Sequence, residues 1–174
     1  MSEGTMLDSD PRFDRADHGA WRLRAAQSLP VARARLFSFF SDARNLTRIT
    51  PLEMGFQIVT PSPIVMGEGT LIDYRVRVAG VPLRWRSLIT RWEPPHEFAD
   101  EQLRGPYAQW VHRHRFTKIA ENVTLMEDEV LFRLPFAPLS ALAAPFVRRQ
   151  LRWIFRYRRE VIERMIADGV FHSS

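Results

Sequence analysis

The sequence predicts an α+β fold: a curved antiparallel sheet of about six to seven strands wrapped around one long C-terminal helix. Three observations predict it. Between residues 55 and 134, segments with two-residue alternation follow one another through short turns, with no helical stretch between them. Two short helical stretches interrupt that series once, directly after the first strand. Near residue 138 the pattern becomes helical and stays so until Gly169.

The elements follow in order. Residues 1–20 are polar and charged and read as a flexible N-terminal tail. "WRLRAAQSL" (21–29) alternates loosely as a first strand, ended by Pro30. "ARARLFSFFSD" (32–42) carries Leu36, Phe37, Phe39 and Phe40 at helical spacing. A second short helix starts at Asp42, a good N-cap, and closes at Pro51. Strands follow at 55–60, 69–78, 83–93, 98–104, 109–116 and 121–134, with Gly80 in a tight hairpin between the second and third of these. Consecutive strands with short connections pair antiparallel as a meander. Pro145 is expected to separate a short helical piece, 138–144, from the main helix. That helix alone is long enough to cover the apolar face of the sheet, which makes a helix-grip arrangement with room for a cavity.

Composition narrows the functional classes. The chain has 174 residues, 45% hydrophobic and 26% charged, the size of one domain. It has no cysteine, so disulfides, thiolate nucleophiles and Cys-ligated metals are excluded. Residues 1–20 lack the apolar stretch of a secretory signal. No run approaches the ~18 apolar residues of a membrane span. The expectation is a cytoplasmic protein with no stable membrane insertion. Net charge is +5, and Lys118 is the only lysine among 25 basic residues.

The stretch "GPYAQWVHRHRF" (105–116) carries the chemistry. With a period of two, Trp110, His112, His114 and Phe116 share the core face of a strand. A hairpin at Gly105-Pro106 that sets Gln102 near Trp110 places Asp100 opposite His112 and Phe98 opposite His114. Asp128 on the next strand then falls beside His112 or His114, on a face shared with Val130 and Phe132. Three readings stay open. The Asp and His side chains satisfy one another in a partly wet core. They orient a mostly apolar ligand in a cavity. Or an Asp-oriented His acts as general acid or base, with His112, His114, Asp100 and Asp128 as candidates. His-x-His with an Asp can hold zinc, but no third histidine is placed, since His18, His96 and His172 lie in a tail, a turn and the terminus. No metal and no cofactor is predicted. Ser87 has no base that can be placed beside it, and Arg91 is expected to snorkel to solvent. "GEGT" (67–70) lacks the helix and Lys of a phosphate loop.

The segments "DARNLTRITP", "GPYAQWVHRHRF" and "LPFAPL...RRQLRWIFRYRRE" resemble the START/Bet v 1-like (SRPBCC) superfamily, most nearly its bacterial ligand-binding, polyketide cyclase-like branch. The resemblance covers about residues 21 to 167 and implies a single domain over 21–168. It implies no single activity, because that superfamily includes lipid carriers, cyclases, hydroxylase domains and chaperone regulators. No family catalytic residue carries over.

On the terminal helix Arg148, Arg152, Arg156 and Arg159 form a stripe opposite Leu151, Phe155 and Ile162, read as a solvated outer face. No nucleic-acid partner is predicted, since no basic-aromatic strand motif of the RRM kind is present. A homodimer is compatible with the sequence. The combined reading is a protein that binds a small hydrophobic or aromatic molecule. Tyr74, Trp85, Phe98, Gln102, Trp110, His112, His114, Asp128 and Phe132 line the pocket, with Leu36, Phe40 and Ile154 as helix-side walls. The alternatives are a cyclase/dehydratase-type enzyme, or a non-catalytic lipid-handling or regulatory protein.

Overall fold

The computed structural model describes residues 8–78, 80–136 and 140–171. Its sheet has eight strands, all paired antiparallel: β1 (Asp8–Arg15), β2 (Trp21–Leu29), β3 (Gln57–Ile58), β4 (Leu71–Val78), β5 (Val81–Glu93), β6 (Glu97–Arg104), β7 (Gln109–Ala120) and β8 (Val123–Arg133). The spatial order is β1-β2-β8-β7-β6-β5-β4-β3. β2 thus pairs with the last strand, and the rest form a meander. Short helices α1 (Arg33–Phe40) and α2 (Ala43–Leu46) follow β2, and α3 (Ser140–Ala167) is the long helix. The result is an α+β helix-grip fold.

Local chemistry accounts for the short elements. The Asp42 side chain accepts a hydrogen bond from the Arg44 amide and so caps α2. α1 buries Leu36, Phe37 and Phe39. Phe37 meets Trp92, Phe98 and Phe116 edge-on, with ring centroids 5.4–5.8 Å apart. These rings close one end of the sheet. Gly80 sits at φ 81°, which the tight β4–β5 connection requires. At the β6–β7 turn, a Cβ on Gly105 would lie 2.3 Å from Gln102 Oε1. Only glycine lets that side chain fold back over the turn.

Three sequence expectations are corrected. The tail reading of 1–20 holds for nothing that is described: residues 1–7 lie outside the described residues, and Asp8–Arg15 form an edge strand, the eighth. "DSDPRFDR" has no alternation to announce a strand, and Pro11 falls where the β1–β2 register shifts. One of its anchors is distant in sequence and the others lie on the neighbouring strand. Asp10 pairs with Arg156, and Asp14 with Arg22 and Arg24. Secondly, α3 runs through Pro145 unbroken. The proline lies near the start of the helix, so its missing N–H removes one bond close to an end.

Thirdly, the arginine stripe is a solvated face only in part: Arg156 is exposed, whereas Arg148, Arg152 and Arg159 are half-buried. Arg148 lies over Trp21 at 4.2 Å and Arg152 over Phe13 at 5.2 Å. Arg159 donates to the Ala26 carbonyl. β1 and β2 cover this side of the helix, which the tail reading had left open. Among the described residues no helix is long and apolar enough to cross a membrane.

Candidate functional site

The register of β6, β7 and β8 builds the site. Asp100 pairs with His112 and Phe98 with His114 across β6–β7. Across β7–β8, Trp110 pairs with Phe132, His112 with Val130 and His114 with Asp128. Alternation along β7 buries Trp110, His112, His114 and Phe116 together. A bulge in β5 between Ile89 and Arg91 flips the alternation, so Trp92 packs in the core and Arg91 points out to Glu93 and Glu97.

Between the inner face of the sheet and α3 lies a cavity of about 170 Å³. Tyr74, Trp85, Phe98, Trp110, Phe40 and Ile154 contribute its aromatic and aliphatic walls. His112, His114, Asp100, Ser87 and Arg158 form a polar patch on it.

Asp128 holds the patch from behind. Its Oδ1 is 2.8 Å from His112 Nε2, in a hydrogen bond. The same oxygen lies 2.8 Å from His114 Nδ1, off the line of a hydrogen bond, and 3.5 Å from Arg158 Nη1. The two imidazoles are tilted by 38° to one another with centroids 3.8 Å apart. His114 Nε2 is 3.8 Å from Asp100 Oδ1, an ion-pair contact too long for a hydrogen bond. Ser87 Oγ donates to Asp100 Oδ2 at 3.2 Å. Trp85 Nε1 donates to Ser87 Oγ at 3.1 Å, and Tyr74 Oη lies 2.9 Å from it. The single Ser87 proton is spent on Asp100, so Tyr74 must donate to Ser87.

Electrostatics splits the two histidines. Burial and the neighbouring His114 push His112 down to about 4, against the pull of Asp128. Burial also opposes charge on His114, but the carboxylates of Asp100 and Asp128 outweigh it and raise its pKa. Burial would raise both aspartates. The imidazoles win, holding Asp100 below and Asp128 well below the usual carboxylate range. Burial and the Asp100 charge push the Tyr74 hydroxyl well up, which agrees with its donor role. The cluster therefore favours charged carboxylates at Asp100 and Asp128 and a neutral imidazole at His112, and it strengthens the hold of His114 on its proton.

The structure separates some predicted residues from the cavity. Gln102 is turned away: its amide donates to the Tyr107 carbonyl at 2.7 Å and accepts from the Tyr107 amide at 3.3 Å, bracing the β6–β7 turn. Phe132 is fully buried behind Trp110 and Tyr107, as core. Asp128 sits behind the imidazoles and reaches the cavity only through them. Leu36 is fully buried in the aromatic cluster at the sheet end. His172 lies outside the described residues.

Two residues were missed by sequence reasoning. Ser87 was weighed only as a nucleophile, whereas here it links Tyr74 and Trp85 to Asp100. Arg158 went unnoticed among many arginines. Its signal was position: Leu151, Phe155, Arg158 and Ile162 share the apolar stripe of α3.

Asp100, His112 and His114 each offer one ligand atom within 4.8 Å of the others, so these are the residues able to hold a divalent cation. The strengthened hold of His114 on its proton opposes such an ion, since a ligating imidazole must be neutral.

No protein-family model and no curated protein matches the sequence. Solved structures do match in shape. Protein Ms6760 from Mycobacterium smegmatis superposes with a TM-score of 0.64 at 16% identity, over 93% of this chain and 99% of that one. A START superfamily protein from Mycobacterium smegmatis gives 0.63 at 10% identity, over 84% and 97%. The ZhuI aromatase/cyclase from Streptomyces sp. R1128 gives 0.61 at 16% identity, over 84% and 96%. Similarity at these identities is one of fold, and the fold of this chain is the START/Bet v 1-like helix-grip fold.

Proposed function

We propose that the protein binds a small hydrophobic or aromatic molecule between the sheet and α3. The cavity carries this reading: about 170 Å³ of interior space, walled mainly by aromatic and aliphatic side chains, with its ionisable groups gathered on one patch. Apolar burial supplies affinity, and the patch sets orientation. Two neighbours of the same fold, a START superfamily protein and an aromatase/cyclase, support a cavity-based role.

Native mass spectrometry of the purified protein tests this directly. A bound small molecule is expected as a mass excess that disappears on denaturation. Ile154→Trp, which fills the cavity from the helix side, should reduce the loaded fraction. A wild-type protein that carries no adduct and takes up no aromatic probe such as naphthalene overturns the reading.

One observation favours a cyclase/dehydratase-type reaction as a second reading. His112 and His114 are adjacent, yet their environments push their affinities for protons apart. A neutral His112 fixed by Asp128 is arranged as a general base. On that reading His112→Ala abolishes turnover of a candidate polyketide-like substrate while leaving its binding within about threefold. Equal loss of binding and turnover assigns His112 to binding instead.

A further inference from the structure

The polar patch holds buried donor nitrogens that no acceptor meets. Arg158 is only 8% exposed, yet its Nε and Nη1 have no hydrogen-bond partner among the described residues. His114 Nδ1 also lacks an aligned acceptor among the described residues, but it faces Asp128 behind the patch, 2.8 Å from its Oδ1. Among the described residues no carboxylate oxygen is aligned to receive from Arg158 Nε or Nη1. The nearest, Asp128 Oδ1, is 3.5 Å from Nη1 and already accepts from His112. The guanidinium rests near the Phe155 ring, 4.9 Å from its centroid, and borders the cavity.

A buried guanidinium with idle N–H groups is costly, and the cost is lifted by whatever brings an oxygen to it. The donor side is already complete elsewhere on the patch, since Tyr74, Trp85 and Ser87 are committed in a chain ending at Asp100. Resting on the binding role proposed above, we infer that the ligand carries an acceptor oxygen, carbonyl or carboxylate, at one end of its apolar body, docked on Arg158. Ligands whose polar end is a cation are disfavoured there, because the guanidinium and the His114 side chain face it. The rival occupant of these donors is a water in a second cavity of about 20 Å³, which Arg158 and Asp128 also border beside Gln27.

Four naphthalene probes of one shape decide it, measured by calorimetric titration of the full-length protein: naphthalene, 2-acetonaphthone, 2-naphthoate and 2-naphthylmethylamine. The ketone or the carboxylate is expected to bind about tenfold or more tighter than naphthalene, and the amine no tighter than naphthalene. A gain for the carboxylate alone assigns an anionic head; an equal gain for the ketone assigns a neutral carbonyl. Arg158→Met should erase the gain and leave naphthalene binding in place. The wild-type ranking stands by itself if that variant folds poorly. Naphthalene binding with no gain from an added acceptor, or an amine that binds as tightly as the carboxylate, overturns the inference and leaves the binding role intact. Failure of all four probes to bind overturns both.

Discussion

Asp128→Ala is expected to lower the stability of the fold by about 3–5 kcal/mol, the usual cost of breaking a buried ion pair from one side. A single oxygen of Asp128 faces His112, His114 and Arg158, at 2.8, 2.8 and 3.5 Å. All four residues are buried. Without the carboxylate, the Arg158 charge and the His114 proton lie in the interior with less compensation, and His112 loses its hydrogen bond. Asp128→Asn keeps an acceptor for His112 but not the charge, so it should fall between wild type and alanine. The exposed Asp14, which pairs with Arg22 and Arg24, provides the contrast. Its alanine variant should cost no more than about 1 kcal/mol. Urea denaturation with an unchanged slope measures both. An Asp128→Ala loss as small as that of Asp14→Ala would mean the cluster is hydrated and does not function as a buried network.

Stability should pass through a maximum near the ordinary histidine pKa of about 6.5. His112 is neutral in the folded protein and held down to about 4. Between that value and about 6.5 the unfolded chain binds the extra proton, so stability rises with pH across this window, on the order of 3 kcal/mol. His114 has the opposite sign. Its raised pKa contributes stability that is fully present below about 6.5 and is lost as pH rises through the folded value. The depressed carboxylates, Asp100 and Asp128, act lower on the scale, with stability present above the ordinary carboxylate range and lost below it. Melting temperature measured from pH 4 to 8 should therefore rise and then fall. His112→Leu should flatten the acid limb and spare the alkaline one. A flat wild-type profile would show that both rings titrate as they do in water.

Much of the fold was legible because alternation and helical period are local. Trp110, His112, His114 and Phe116 share a face of β7 by chain geometry alone, and the short β6–β7 turn aligns Asp100 with His112. β1 escaped notice for the converse reason. Its anchor Arg156 on α3 is remote from it in the chain, and "DSDPRFDR" carries no pattern of its own. Gln102 shares the face of Asp100 by alternation, yet the sharp turn at Gly105 draws it back to the backbone of Tyr107.

The sequence by itself determined the order of the elements, the inward face of each long strand and the placing of two imidazoles among aromatic rings. These follow from the periods of the chain, which each residue shares with its neighbours. The tertiary structure alone decided that Asp128 stands behind the histidines, that Arg158 enters the interior and that Arg148, Arg152 and Arg159 are half-buried while Arg156 stays exposed. Those outcomes depend on how α3 is rotated against the sheet and on a first strand held by distant charges, which nothing local specifies.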